Sequence, residues 1–322
     1  MRDIAEKAGV SVSTVSHVLT GYTKSGTKKE TREHVLKLAR DLGYQPNAIA
    51  RSLKSQKTQM IGFYAGHGYC DAVDPFYGTV YTGIQHGCEE FNLDFLIHCN
   101  VYGKTPLEIK MKLNDGRIDG IIVHAPPDDQ VVVCLRESGL PSVAIADKQE
   151  GIPSVVADDQ FGMRLMIDHL WERGHRRMAY LNTHFSLPSV EARMATFVQA
   201  IGERGGMPTV SQMPWQQPQD FLRNLMQGQE RPTALCCWHD NSAYYMVNAC
   251  MEMGIGVPED LAIVGFDGLL ETRLPARRLT TIAVPWERMA REAVKMLVAQ
   301  TRSQSVPTLT TFPVELVVGD TT

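Results

Sequence analysis

No stretch of the 322-residue chain approaches the ~18 uninterrupted apolar residues that a membrane-spanning helix needs, which excludes an integral membrane protein. Its first ten residues, MRDIAEKAGV, hold no apolar run, so no secretory leader is read there. Seven cysteines without a CxxC spacing give neither a zinc ribbon nor a dithiol motif, and point to a reducing compartment, the cytoplasm. HxxxH spacing is missing among the ten histidines, and neither a phosphate-binding P-loop nor a GxSxG elbow occurs. No cofactor, metal or catalytic residue is therefore nominated, and the chain does not read as an enzyme. What is present is a globular composition, 43% hydrophobic and 21% charged, long enough for two or three domains with a substantial core.

The net charge of −4 hides an asymmetry. Residues 1–60 hold eleven Lys and Arg against five Asp and Glu, while the other 262 residues carry a deficit of ten. A small basic head on a large acidic body suggests a polyanion as partner of the head alone.

Within the head, RDIAEKA reads as a short helix stopped by Gly9. Ser11 caps a second, VSTVSHVL, with Val15, Val18 and Leu19 at helical spacing. Two short helices joined by a Gly-Val-Ser turn form a helix-turn-helix candidate. Thr27 and Glu30 suggest a capping box for a third helix, with Val35, Leu38, Ala39 and Leu42 apolar and Gly43 ending it. The second helix leaves Ser13, Thr14, Ser16 and His17 outward, side chains suited to base edges and phosphates in a major groove.

DIAEKAGVSVSTVSHVL, then TREHVLKLARDLGY, then QPNAIARSL, resembles the LacI/GalR family of bacterial transcription regulators. The resemblance implies base contacts from Val12, Ser13 and His17 and phosphate contacts from Thr14 and Ser16. Two departures stand out. The segment TGYTKSGTKKE is about two residues longer than a common family loop, so no contacts are carried over there. The first helix also begins almost at residue 1 without a polar cap, which leaves it frayed or places the natural start upstream.

Residues 46–58 are polar and basic, and a helix of ~9 residues there is too short to persist unsupported in water. In the family this stretch is a hinge helix that orders on operator DNA. By that resemblance Leu53 is the minor-groove wedge and Ala50 the small contact to a partner hinge, which implies a homodimer on two half-sites.

From Met60 the pattern changes. Apolar runs (MIGFYA, DFLIHC, DGIIVHA, PSVAIA, MAYLN, ALCCW, LAIVGF and the final TFPVELVV) alternate with amphipathic stretches at 76–91, 161–173, 190–204, 242–253 and 286–298. That is the signature of parallel sheets covered on both faces, with ligands at the carboxyl ends of the strands. The family resemblance continues through DPFYGTVYTGIQHGCEEF, PTALCCWHDNSAYY and VGFDG. The expected fold is an N-terminal all-α helix-turn-helix headpiece (1–45), a hinge (46–58) and an α/β periplasmic-binding-protein-like body (59–322). The body divides into two doubly wound parallel-sheet lobes, one of about 59–157 plus 284–308, the other of about 158–283, with the last strand near the lobe hinge.

Matching family segments nominates Asp74, Phe76, Tyr77, Asp147, Arg193, Trp215, His239 and Asp267 as effector-binding residues. Carboxylates and Arg hold dense sugar hydroxyls, and aromatic rings take the C–H faces of a sugar ring. Where His239 stands, the family more usually has Asn, so this position is expected to respond to pH. Cys236 and Cys237, adjacent on an apolar strand, read as packing residues. The expected function is a DNA-binding regulator of repressor type, acting on a pseudo-palindromic double-stranded operator. A small-molecule effector controls it, a carbohydrate by preference and a purine base or nucleoside as the alternative. A transport protein of the same body fold would lack the basic head, and an enzyme would need a nucleophile or cofactor motif.

Overall fold

The computed structural model describes residues 1–19, 26–45, 52, 57–66, 74–99, 101, 103–212, 217–227, 230–269 and 278–322. The chain divides into two compact units, 1–58 and 59–322. In the first, Ile4 and Ala5 of α1 (Arg2–Ala8), Val15 and Val18 of α2 (Val12–Leu19), and Val35 and Ala39 of α3 (Lys29–Asp41) close one apolar cluster. Burying an aliphatic side chain of this size contributes about 1.5–3 kcal/mol, and with so few of them each matters. Gly9, at φ 64°, ends α1 in the left-handed turn that glycine adopts without strain. Ser11 Oγ accepts the Thr14 N–H at 3.1 Å and caps α2.

The capping box expected for the third helix does not form. Helix α3 starts at Lys29 with Lys28 at its cap position and no capping side chain, one residue too late for Thr27 to serve. Leu42, read with the apolar face, is 41% exposed because the helix has already ended there.

The second unit holds two six-stranded sheets. The first runs in the order β11-β5-β4-β3-β1-β2 and is parallel throughout. Its strands are β1 (Met60–Ala65), β2 (Asp94–Ile97), β3 (Gly120–His124), β4 (Ser142–Ala146), β5 (Ser154–Ala157) and β11 (Leu309–Phe312). The second has the order β12-β10-β9-β8-β6-β7, from β6 (Met178–Asn182), β7 (Thr209–Gln212), β8 (Ala234–Cys237), β9 (Ala262–Asp267), β10 (Thr280–Ala283) and β12 (Glu315–Val317). Central strands such as β3, β4 and β9 are buried at every position, as continuous apolar runs demand, whereas the edge strands β2 and β7 are largely open.

Helices α4 (Pro75–Phe91), α5 (Pro106–Leu113), α6 (Gln130–Ser138) and α11 (Trp286–Thr301) flank the first sheet. The second carries α7 (Asp159–Glu172), α8 (Pro188–Glu203), α9 (Pro218–Leu225) and α10 (Asp240–Met253). Helix α4 packs closely on α11 through Gly83 and Gly87. A Cβ at Gly83 would collide with the Glu287 carbonyl oxygen, and one at Gly87 would lie 2.8 Å from Val294 Cβ. A single apolar cluster runs under both sheets, from Phe63 and Ile84 to Tyr180, Phe197 and Phe266, and separate clusters fill the outer faces.

The C-terminal segment read as one strand is two. Pro313, which has no N–H for a ladder, separates β11, parallel to β5, from β12, antiparallel to β10. The first lobe therefore reaches beyond 308 to take in β11, and the second takes β12.

Candidate functional site

Both sheets reverse their strand order beside the first strand of the lobe, at β1/β3 and at β6/β8, which is where doubly wound sheets open a crevice. A cleft of about 550 Å³ lies there, within the size range of small-molecule sites. The side chains that line it come from strand ends. His124 closes β3, Asp147 follows β4, His184 and Phe185 follow β6, Trp238 and His239 follow β8, and Asp267 closes β9. Asp74, Phe76 and Tyr77 enter from the start of α4, and Trp286 from the start of α11. Of the residues nominated from sequence, Asp74, Phe76, Tyr77, Asp147, Arg193, His239 and Asp267 all line this one cleft. Trp215 lies outside the described residues.

Arg193, on α8, is 4% exposed and held through its Nε and Nη1. Its Nε donates to Asp159 Oδ1 at 2.7 Å, its Nη1 donates to the Trp238 carbonyl at 2.7 Å, and Nη1 lies 3.7 Å from Asp267 Oδ1. The guanidinium stands 3.6 Å from the centre of the Phe266 ring, a cation–π contact that fixes its plane. Asp267 holds φ 123°, a backbone conformation rare outside glycine, at the edge where β9 meets the cleft. Behind it Asp240 is 2% exposed, with Thr281 Oγ1 donating to Oδ1 at 2.5 Å and the Leu269 N–H to Oδ2 at 3.0 Å. Burial pushes the Asp240 carboxyl up to about 7 against these hydrogen bonds, and pushes Asp267 well above the usual carboxylate range against the pull of Arg193.

Asp147 belongs to the first lobe, yet its Oδ1 accepts the N–H of Ser189 at 2.9 Å, in the first turn of α8 in the second lobe. A carboxylate at a helix N-terminus is stabilised by the unpaired amides there. Its Oδ2 faces His124 Nε2 at 3.5 Å. Burial works to raise the Asp147 carboxyl, but the His124 and Ser189 partners outweigh it and hold it below its ordinary value.

The pH response expected at His239 is not what the structure gives. The imidazole stacks on Trp238 at 3.7 Å, and its Nδ1 accepts the Ser242 N–H at 3.1 Å to cap α10. Burial pulls its pKa down to about 3, so the ring stays neutral across the physiological range.

Several cleft residues escaped the sequence reading: His124, His184, Phe185, Ser189 and Trp286, with Asp159 behind Arg193. His124 had a readable signal, a polar residue closing an otherwise apolar strand. Phe76 connects two of the walls, with ring centroids 4.9 Å from both His124 and Trp286. Cys236 and Cys237 are fully buried, and burial pushes the Cys236 thiol up to about 12.

On the recognition helix of the first unit, Val12 and Ser13 are exposed at its first turn, Val12 by 45%. Thr14, Ser16 and His17 are half-buried, and Thr14 Oγ1 lies 2.9 Å from Ser11 Oγ. Leu53 and Ala50 fall outside the described residues. Among those described, no group of His, Cys, Asp and Glu is arranged to hold a metal, and no helix is long and apolar enough to cross a membrane.

A helix-turn-helix unit joined to a two-lobed periplasmic-binding-type body defines a ligand-responsive DNA-binding regulator. Residues 1–47 match the bacterial regulatory proteins of the lacI family, and residues 167–322 match the periplasmic binding protein-like domain. The chain thus carries a LacI-family helix-turn-helix domain and a periplasmic-binding-like domain, and is a DNA-binding transcription regulator. Among its relatives, the HTH-type transcriptional regulator GalR of Escherichia coli is 27% identical over 96% of this chain and 91% of its own. The HTH-type transcriptional repressor PurR of Photobacterium profundum is 29% identical over 95% of this chain and 92% of its own. The fold is shared with the lac repressor dimer bound to operator and the anti-inducer ONPF (TM-score 0.84, 24% identity, 99% of this chain and 97% of that one). It is shared too with the transcriptional regulator CelR in complex with cellobiose (TM-score 0.73, 23% identity, 99% of this chain and 98% of that one).

Proposed function

We propose that the protein represses transcription as a homodimer on a pseudo-palindromic operator, and that a carbohydrate bound in the cleft shifts it between DNA-binding and non-binding states. The domain boundaries suggested are a headpiece at 1–45, a hinge at 46–58 and the two-lobed effector body beyond. Val12, Ser13 and His17 are the proposed base contacts, Thr14 and Ser16 the phosphate contacts, Leu53 the wedge and Ala50 the hinge contact. The observation that carries the effector reading is the convergence of seven nominated residues on one cleft where aromatic faces alternate with carboxyl groups. Hydroxyl-rich rings are bound by this combination of flat apolar walls and fixed polar groups. The lac repressor held on its operator and CelR holding cellobiose support the same reading. The cleft is read as a sensor rather than a catalytic site, and a bacterial regulator of this kind works in the cytoplasm, with the chromosome.

For an effector to switch the protein it must bind the two states unequally, since equal affinity shifts nothing. Asp147 of the first lobe and Ser189 of the second are joined across the cleft, so occupancy and lobe orientation are mechanically linked. The purified chain should retain a genomic fragment over random competitor, with retention falling steeply as salt rises. One or more members of a panel of sugars and purine bases should change that retention. Failure to select any fragment, with or without the panel, overturns the proposal. Leu53→Ala should weaken specific binding more than non-specific binding, and equal losses would remove Leu53 as the wedge.

A further inference from the structure

The charges of the cleft are unbalanced. Among the described residues Arg193 is the one Lys or Arg lining it, beside Asp74, Asp147 and Asp267. That guanidinium is already held by Asp159, by the Trp238 carbonyl and by Asp267, with Asp240 buried in the next layer. Asp74, Asp159 and Asp240 make Asp267 harder to ionise, Asp147 does the same to Asp159, and burial raises all three of Asp159, Asp240 and Asp267. A second anion entering here would meet the carboxylate of Asp147, which His124 and the Ser189 N–H hold ionised, in a medium that screens poorly.

The helix N-termini at the cleft are occupied as well. Helix N-termini bind phosphates through their unpaired amides, and three of them open on the cleft. Each is capped by a side chain: Asp74 accepts the Phe76 N–H on α4, Asp147 the Ser189 N–H on α8, and His239 the Ser242 N–H on α10. Helix α11 offers no better. Pro285 at its cap position has no N–H, and the Trp286 N–H donates to the Val284 carbonyl at 2.8 Å. The neutral ring of His239 adds no positive charge.

We infer that the effector carries neither phosphate nor carboxylate: the cleft takes an uncharged or aminated polyhydroxyl ring and rejects its phosphorylated and acidic forms. This rests on the carbohydrate reading for the ring and on the charge balance for the exclusion, and the two can fail separately.

The test uses the purified full chain in thermal-shift and calorimetric titrations. The probes are glucose, galactose, fructose, ribose and cellobiose, each beside its phosphate and, where one exists, its uronic acid and its 2-amino form. Hypoxanthine and guanine are run beside their nucleoside monophosphates. A sugar that binds while its phosphate binds about a hundredfold more weakly supports the inference. A phosphorylated or acidic sugar that binds as well as its parent overturns it while leaving the carbohydrate reading intact. A purine base that binds while its nucleotide does not, with no sugar binding, overturns the carbohydrate reading and leaves the exclusion standing. No binding by any probe overturns both. Asp74→Asn, which keeps a capping oxygen on α4, should narrow the gap between parent and phosphate by about tenfold, and Asp147→Asn on the facing lobe gives the same reading should the first variant fail to fold. An unchanged ratio in a folded variant of either kind shows that the carboxyl groups do not exclude the anion, and overturns the inference.

Discussion

The head and the cleft carry function by opposite means. In the head the core among the described residues is purely apolar, six buried residues on three helices, and Val12, Ser13, Thr14, Ser16 and His17, proposed to touch DNA, are partly or fully exposed. In the cleft the working groups are themselves buried: Arg193, Asp147, Asp240 and Asp267 are all less than a tenth exposed. A surface recognition helix can lose a contact residue and keep its fold. A buried charge cluster couples recognition to stability, because removing one member leaves the others desolvated and unpaired.

The sharpest way to break this contrast is Arg193→Leu. With Asp159 and Asp267 stranded, unfolding of the body in urea should cost about 3–5 kcal/mol less, while the helical signal of the head melts as before. A change under about 1 kcal/mol would show the acids are not held by this cation. Next is Val15→Ala, which removes two methyl groups from a fully buried site in the small head and should cost roughly 2 kcal/mol. Salt-dependent DNA retention should fall with the head, and the melting of the body should not move. Asp147→Ala deletes the cap that the first lobe places on α8, an effect of about 1 kcal/mol on the melting of the unliganded body. A stability equal to the parent's would mean the lobes do not lean on that bond.

The smallest effect is one of pH. His239 is held at about 3 against 6.5 when unfolded, so its contribution to stability is intact above pH 6.5 and is lost as pH falls from 6.5 toward 3. Asp240 runs the other way: raised from 3.8 to about 7, it contributes fully below 3.8 and loses that contribution as pH rises toward 7. His239→Asn keeps a capping oxygen and removes only the first of these. The variant should therefore gain on the parent as pH drops, by less than about 1 kcal/mol at pH 6, read as the difference between two unfolding curves. Parallel curves from pH 7 to 5 would refute the buried neutral imidazole.

The same contrast decides what could be read in advance. Helices α1 and α2 were legible because a small bundle advertises its core by spacing, and Gly9 and Ser11 mark the ends. Most central strands were legible as unbroken apolar runs. The strands β5, β7 and β10 were not, since each is only four residues long and Thr, Ser and Gln interrupt the hydrophobic signal. The capping box at Thr27 failed because a motif of residue types does not fix where a helix takes its first turn. Positions of cleft residues followed from segment matching, but their protonation did not. Whether His239 titrates near neutrality depends on Trp238 covering it and Ser242 bonding it, which only the folded arrangement supplies.

The division of the tail at Pro313 has a mechanical consequence. Between β5 and α7, between β10 and α11, and between β11 and β12, the chain passes three times from one sheet to the other. Two bodies tied by a single tether can drift in any direction. Three short ties leave them little besides a swing about the line the ties define, so work done by a guest in the crevice emerges as rotation rather than being scattered into slack.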